Sequence, residues 1–157
     1  MEKHPCTSYR IRFKDCDPLG HLYNTRFIDY MLEAREDHII QHYDMNLEQY
    51  LKERGMAWVV THHEMAYIKE AKRNEIVQIA SALIHIDHKS ILNEYQMWNE
   101  DRTQLKALLH TTFVHINMKE KKSCEHPDDI HAMLQSLQLH IPERDFKLRL
   151  NHLLGRS

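Results

Sequence analysis

The amino-acid sequence predicts the α+β fold class, with a five-stranded, mostly antiparallel sheet wrapped around one long helix. The helix is indicated by residues 25–42, whose apolar strip is too broad for a helix that lies on a protein surface. The sheet is indicated by four long strand patterns that follow this helix and are separated by short polar turns. Turns of this length join antiparallel neighbours, because parallel strands need long crossover connections.

The first elements surround a loop with an unusual composition. Residues 9–14 alternate apolar and basic side chains, as a half-buried strand does. Residues 15–24 read Asp-Cys-Asp-Pro-Leu-Gly-His-Leu-Tyr-Asn, and Pro18 and Gly20 predict a turn there, since glycine readily takes positive φ. We expect Asn24 or Thr25 to cap the helix that follows.

The remaining elements follow in chain order. A short helical segment, residues 47–54, ends at Gly55, and the strand patterns then occupy residues 56–68, 75–87, 90–99 and 104–118. These four strands are expected to form an antiparallel meander of consecutive neighbours. After a charged stretch, residues 128–139 and 146–154 have the spacing of two helices, whose apolar faces need a partner surface on this domain or on another subunit.

Composition excludes several classes of protein. A chain of 157 residues suits one domain with a real core, and a net charge of -2 offers no basic surface for nucleic acid. Three widely spaced cysteines form no C-x-x-C pair, which favours reduced thiols over a disulfide framework. No signal-peptide pattern or membrane-spanning run is present. We therefore expect a cytoplasmic protein with no nucleic-acid and no membrane partner.

Histidine is abundant, but its spacing does not indicate a metal site. The chain has 14 histidines, and none forms an H-E-x-x-H pattern or a close Cys and His set. His62 and His63 are adjacent in a predicted strand, so their side chains should point to opposite faces. We expect no metal and no cofactor.

The loop at residues 15–24 allows two interpretations from its residues alone. Asp15 and Asp17 can simply satisfy donors of the turn and of the helix start. Alternatively, a carboxylate there acts as base or nucleophile while helix N-terminal N–H groups stabilise an oxyanion. Cys16 is a poor nucleophile, because the two neighbouring carboxylates raise a thiol pKa.

Residues 13–21 and 27–31 resemble the 4-hydroxybenzoyl-CoA thioesterase-like family of hotdog-fold acyl-CoA thioesterases, and residues 58–71 support this resemblance. The similarity spans roughly residues 7–127. It implies a hotdog thioesterase domain over residues 1–127 and a C-terminal helical extension over residues 128–157, packed on the same domain or on a neighbouring subunit. The chain departs from the family at Glu70, where a proline is common, and at 74–75, where Gly-Asp is common.

The resemblance implies hydrolysis of an acyl-CoA thioester to a free acid and CoA. Asp17 would be the nucleophile or the general base, and helix N-terminal donors near Tyr23 and Asn24 would form the oxyanion site. His21 would orient the carboxylate, donate to the carbonyl or protonate the departing thiolate. Asn24 is predicted as a catalytic residue with N-capping as its alternative role, and Gly20 and Tyr23 as substrate-binding residues. Asp15 is expected to brace the loop.

The resemblance also implies a homodimer or homotetramer with its sites between subunits. Trp58, Val60 and His62 are expected to share one strand face with Met56 and to line the acyl channel, although Val60 also suits a plain core position. Lys89 and Ser90 are the expected contacts of the CoA phosphates, with Lys72 and Arg73 as the alternative, although exposed lysines are commonly only solvated.

Two other functions remain open at this point. The run Gly-His-x-x-Asn at residues 20–24 looks like a segment of acyl-ACP thioesterases, so an acyl carrier protein is an alternative substrate. A non-catalytic acyl-CoA-binding protein is the other alternative, because a fold does not guarantee an activity.

Overall fold

The computed structural model describes residues 2–156 of the chain. Its helices are α1 (Asn24–His42), α2 (Leu47–Arg54), α3 (Asp128–Leu137) and α4 (Phe146–Leu153). Its strands are β1 (Cys6–Arg10), β2 (Met56–Tyr67), β3 (Ile76–Ile86), β4 (Ser90–Asn99), β5 (Leu105–Asn117) and the two-residue β6 (Lys122–Ser123). None of the helices in these described residues is long and apolar enough to cross a membrane.

The strands form one antiparallel sheet with the order β1-β3-β4-β5-β2, and β6 adds to the end of β5. The predicted consecutive meander is therefore correct for β3, β4 and β5 and wrong for β2. Strand β2 pairs with β5 rather than with β3, so it lies at the far edge of the sheet. Short turns join β3 to β4 and β4 to β5. Residues 68–75 carry the chain from the end of β2 across the sheet to β3.

The first strand lies earlier than its alternating pattern predicts. β1 ends at Arg10, and the chain then forms a single 3-10 turn over Phe13–Asp15. The last residue pair of β1 with β3 is Arg10 with Ile76, and just beyond it Ile11 N–H donates to Glu75 O at 2.9 Å. The Phe13 side chain is 73% exposed instead of packing in a core.

Helix α1 lies against the sheet and starts one residue before the predicted boundary. Phe27, Met31 and Ala34 are buried in a core that includes Ile79 of β3 and Tyr95 of β4. The residue before the helix is Tyr23, which makes no side-chain capping hydrogen bond. The expected cap at Asn24 or Thr25 is therefore wrong, and both residues belong to the first turn of the helix.

A β-bulge interrupts β2 in its middle. Val60 pairs with Phe113 and His62 pairs with Thr112, so Thr61 is an extra residue between them. One extra residue reverses the alternation of side chains. His62 therefore lies on the opposite face of the sheet from Trp58 and Val60, which corrects the prediction that all three share a face.

The C-terminal helices contact two different parts of the sheet. Ile130, Leu134 and Leu137 of α3 join a second apolar cluster with Tyr50 and Leu83. Helix α4 lies on the outer face, where Arg149 forms a buried ion pair with Glu94 of β4.

Candidate active site

The loop that precedes α1 is closed by its own main chain. Asp17 N–H donates to His21 O at 2.8 Å, and Gly20 N–H donates to Asp17 O at 2.9 Å. Gly20 has φ of +80°, a conformation that an L side chain rarely adopts. The sequence-based expectation of a glycine-dependent turn is therefore confirmed.

The Asp17 carboxylate uses one oxygen to hold this turn. Its Oδ1 accepts from the N–H groups of Leu19 and His21, both at 2.9 Å. No donor among residues 2–156 forms a hydrogen bond with Oδ2. The carboxylate is therefore fixed in orientation and keeps one oxygen for a ligand. The structural and the chemical interpretations of Asp17 are compatible, because each uses a different oxygen.

Asp15 has a different environment. Only 6% of the residue is exposed, and its Oδ2 accepts from the Tyr30 hydroxyl at 2.6 Å. The hydrogen bond from Tyr30 lowers the pKa of Asp15. The same hydroxyl accepts from Arg12 N–H at 2.9 Å, and Asp15 O accepts from Tyr23 N–H at 3.1 Å. Asp15 thus ties the segment before the loop to the start of α1.

The first turn of α1 supplies free main-chain donors. Tyr23 N–H is occupied by Asp15 O, so it is not available as one of the expected oxyanion donors. Within the described part of the chain, the N–H groups of Asn24 and Thr25 donate to no acceptor. Free N–H groups at a helix N-terminus, together with the helix dipole, favour a negatively charged oxygen.

Loop and helix start border one cavity of about 510 Å³. We refer to it as the loop cavity. Its lining residues are Asp17, His21, Leu22, Tyr23, Asn24, Thr25, Phe27, Tyr67, Ile68, Lys69 and Glu70. Four of the predicted site residues, namely Asp17, His21, Tyr23 and Asn24, therefore share this cavity, with Gly20 in the turn beside it. Asp15 is not among the lining residues.

The wall of the loop cavity opposite the loop comes from the end of β2 and the residues after it, and none of these was predicted from the sequence as a site residue. The Tyr67 hydroxyl donates to Asn24 O at 2.9 Å, and its ring meets Phe27 edge-on with 5.3 Å between centroids. Leu22 N–H donates to Ala71 O at 2.8 Å, which places residue 70 beside the loop. The departure of Glu70 from the family pattern was the available signal.

Glu70 brings a second carboxylate to the loop cavity. His21 and Lys72 are paired across an antiparallel bridge, so Glu70 lies diagonally opposite His21. Its own backbone amide, followed by the nearby His21 and Lys72, lowers the pKa of Glu70. Its main-chain oxygen accepts from Lys106 Nζ at 2.8 Å, which fixes this segment.

The remaining predicted binding residues lie elsewhere in the protomer. Ser90 pairs with Val114, which in turn pairs with Val59, so Lys89 and Ser90 lie near the first half of β2. Trp58 lines a separate cavity, and its Nε1 donates to His126 Nε2 at 3.0 Å. Trp58 and Tyr67 are nine residues apart on one strand, which corresponds to about 30 Å. A single protomer thus keeps these residues away from the loop cavity.

A sheet wrapped around a helix, with a carboxylate beside the helix N-terminus, is the arrangement expected of a hotdog-fold enzyme. The family model described as the thioesterase-like superfamily matches residues 11–134. The chain belongs to this superfamily. The predicted hotdog fold and the predicted thioesterase class of enzyme are confirmed.

Individual relatives are more distant. The long-chain acyl-CoA thioesterase FadM of Escherichia coli is 24% identical over 131 residues, which cover 83% of this chain and 97% of the relative. A 1,4-dihydroxy-2-naphthoyl-CoA thioesterase from Synechocystis superposes with a TM-score of 0.76 at 17% identity, covering 85% of this chain and 97% of that chain. A Staphylococcus aureus protein solved in complex with CoA superposes with a TM-score of 0.77 at 13% identity, covering 97% and 92%. At these identities, the structural similarities establish the fold.

Proposed function

We propose that the protein hydrolyses acyl-CoA thioesters to a free acid and CoA, with Asp17 as the reacting carboxylate. The observation that supports this most directly is the division of labour within that carboxylate. Oδ1 is held by two main-chain N–H groups at 2.9 Å, which leaves Oδ2 for chemistry beside the free N–H groups of α1. The acyl-CoA substrates named for FadM and for the Synechocystis enzyme are the basis for the substrate class.

The reaction follows from these groups. As a general base, Asp17 takes a proton from water while the water oxygen attacks the thioester carbonyl carbon. As a nucleophile, its Oδ2 attacks the carbonyl carbon and forms an anhydride, which water then cleaves. In both routes the carbonyl oxygen becomes negative and accepts from the N–H groups of Asn24 and Thr25. In the general-base route the C–S bond then breaks, and the thiolate takes a proton from His21 or from the protonated Asp17. In the nucleophile route the C–S bond breaks as the anhydride forms, and the thiolate takes its proton from His21.

A homodimer would complete the site. β2 is an edge strand of the sheet over residues 2–156, and Val59 and Val60 on it are 37% and 42% exposed. A long edge with exposed valines is a ready template for another strand. Two-fold antiparallel pairing of β2 with its copy would place the Trp58 end of one strand beside the Tyr67 end of the other. Lys89 and Ser90 of the partner subunit would then approach the loop cavity, where the CoA phosphates need cations.

The test compares thiol release from a panel of aliphatic and aromatic acyl-CoAs by the natural protein and by Asp17→Asn. Asparagine keeps an Oδ1 for the two loop N–H groups but replaces the charged second oxygen by a neutral NH₂ group. Asp101→Asn is the matched control, because Asp101 Oδ1 likewise accepts a loop N–H, from Thr103 at 3.1 Å. We expect Asp17→Asn alone to lose about 10² to 10⁴-fold in kcat.

Equal turnover by the natural protein and Asp17→Asn would contradict the assignment of Asp17. Absence of turnover with every acyl-CoA, together with tight acyl-CoA binding, would contradict the hydrolase proposal and favour a binding protein. A large preference for matched acyl-ACP over acyl-CoA would contradict CoA as the group that carries the acyl chain.

A further inference from the structure

A second cavity of about 290 Å³ lies between α1, the sheet and α3. We refer to it as the inner cavity. It shares no lining residue with the loop cavity, and Arg35, a buried lining residue on α1, lies eleven residues after Asn24. At the rise of an α-helix this separation is about 16 Å. The inner cavity is therefore a separate space rather than an extension of the loop.

Most of the wall of the inner cavity is apolar and partly adaptable. Tyr50 of α2 stacks on Trp58 of β2 with 5.1 Å between ring centroids. Met45 and Met133 also line the wall, and methionine side chains readily adjust to the shape of a ligand. An apolar wall with a few convergent polar groups is the usual composition of a small-molecule site.

Three polar side chains lie on this wall with atoms that have no partner. Arg35 Nε, Asn93 Oδ1 and the Tyr95 hydroxyl are buried, and none of them has a hydrogen-bond partner among residues 2–156. The exposed fractions of the three residues are only 6%, 3% and 0%. Buried polar groups in native proteins are nearly always hydrogen-bonded, so three unpaired atoms around one cavity indicate a missing polar partner.

The charge of Arg35 indicates the sign of that partner. Its Nη1 donates to the Tyr43 hydroxyl at 2.9 Å and to Ser81 Oγ at 3.1 Å, and both acceptors are neutral. No carboxylate in the described part of the chain lies within 4.0 Å of the guanidinium, although the exposed Glu36 lines the same cavity. A buried charge is costly unless it is paired.

Among residues 2–156, His38 is the one further titratable side chain that shares a hydrogen-bond partner with Arg35, and it adds no negative charge. His38 Nδ1 is 2.7 Å from Ser81 Oγ, and its Nε2 is 2.9 Å from Thr7 Oγ1. Burial, together with the neighbouring Arg35, lowers the pKa of His38 to about 4. The imidazole is therefore neutral at pH 7, and the guanidinium is left as a net buried cation.

We propose that the inner cavity binds a small apolar carboxylate, with its carboxylate on Arg35 and Tyr95 and its apolar part against Trp58 and Tyr50. The carboxylate accepts from Arg35 Nε–H and from the Tyr95 hydroxyl, and rotation of the Asn93 amide turns its NH₂ group toward the same oxygens. At roughly 30 Å³ per heavy atom, a volume of about 290 Å³ holds an acid of about eight carbons. Such a carboxylate is either a free acid or the terminal carboxylate of an acyl group whose other end is bound to CoA as a thioester.

Direct binding tests this proposal independently of any thioesterase activity. Trp58 reports on the cavity when Trp98→Phe removes the other tryptophan. Octanoate should change the Trp58 fluorescence and bind about tenfold or more tightly than octanol, because a charge-assisted hydrogen bond to Arg35 exists only with the acid. Equal affinity for acid and alcohol, or no binding of octanoate, would overturn the proposal and leave the cavity to water.

Two variants locate the carboxylate without removing Arg35. Asn93→Asp has almost the same shape and places an internal carboxylate beside the guanidinium, so it should abolish octanoate binding and raise Tm. Tyr95→Phe removes one donor and should weaken octanoate binding while octanol binding stays unchanged. Octanoate binding by Asn93→Asp at the natural affinity would overturn the proposal, and the raised Tm excludes misfolding as the cause of lost binding.

A second arm distinguishes the two sources of the carboxylate. The thioether analogue of octanoyl-CoA, which cannot be hydrolysed, is compared with the same analogue carrying a terminal carboxylate, in the natural protein and in Asn93→Asp. Weaker binding of only the carboxylated thioether in Asn93→Asp identifies the end of an acyl group. Loss of binding of only free octanoate identifies a free acid. If Asn93→Asp changes the affinity of neither free octanoate nor the carboxylated CoA analogue, the proposed site is refuted.

Discussion

Replacing Arg149 by methionine should remove the main cation from a fully buried carboxylate. Arg149 Nε lies 2.9 Å from Glu94 Oε2, and its Nη2 lies 2.9 Å from Oε1. The Glu94 side chain is 0% exposed, and it also accepts from His110 at 2.9 Å and from Gln96 at 2.7 Å. Burial by itself would raise the pKa of Glu94, but His110, Arg149 and Gln96 outweigh it and lower the pKa to about 2. Glu94 is therefore ionised at neutral pH.

The size of the loss in stability depends on the contacts that Glu94 keeps in Arg149→Met. Removing one partner of a buried ion pair costs about 3–5 kcal/mol, and the lower end applies because His110 and Gln96 still donate to Glu94. We expect Arg149→Met to lower the free energy of unfolding by about 3 kcal/mol, a large share of the roughly 5–15 kcal/mol of a typical domain. Urea unfolding at pH 7, followed by tryptophan fluorescence, measures this change.

A double variant separates the loss of the charge pair from the loss of packing. Glu94→Gln combined with Arg149→Met removes both charges and keeps an amide for His110. It should recover at least half of the stability lost in Arg149→Met, because no unpaired charge stays buried. A loss below about 1 kcal/mol in the single variant, or a double variant no more stable than the single one, would refute the reasoning.

Three further predictions concern the loop, the histidines and the edge strand. Tyr30→Phe leaves the buried Asp15 carboxylate without its 2.6 Å donor, so the free energy of unfolding should fall by about 1–3 kcal/mol in urea, and an unchanged midpoint would contradict this. Burial lowers the pKa of His38 and of His126 to about 4, from the ordinary histidine value of 6.5. Below pH 6.5 these histidines therefore bind more protons in the unfolded chain than in the folded protein. Stability should therefore be complete above pH 6.5 and decline toward pH 4, by up to about 3 kcal/mol per histidine, whereas a flat urea midpoint between pH 7 and 5 would oppose this. Val59→Lys places a charge on the exposed edge of β2, so sedimentation should give half the mass of the natural protein and acyl-CoA turnover should fall; an unchanged mass would exclude pairing through β2.

Elements with strong local signals were predicted closely from the sequence. The bounds of α2 and β4 agree with their predicted limits, since Gly55 ends α2 and polar turns flank β4. The strand predicted over residues 9–14 was misplaced, because pairing of Arg10 with Ile76 and the turn at Phe13 depend on distant contacts. No local pattern specifies such contacts.

In the candidate site, too, residues with a local sequence signal were predicted and residues placed by distant pairing were not. Asp17, His21 and Asn24 were predicted together because they are contiguous in one loop. Tyr67 and Glu70 reach the loop cavity only through pairing of distant segments, which the sequence does not display. The bulge at Thr61 likewise moved His62 to the other face, since the extra residue is set by pairing with β5.

The most direct measurement is the kcat of Asp17→Asn against that of Asp15→Asn on the best acyl-CoA substrate, with the urea midpoint of each variant determined in parallel. Asp17→Asn should lose about 10² to 10⁴-fold in kcat with a nearly natural midpoint. Asp15→Asn should lower the midpoint, because its buried carboxylate accepts from Tyr30, while the kcat of the folded protein stays within about threefold. A kcat for Asp17→Asn within about threefold of the natural value would contradict the assignment of Asp17 as the reacting carboxylate.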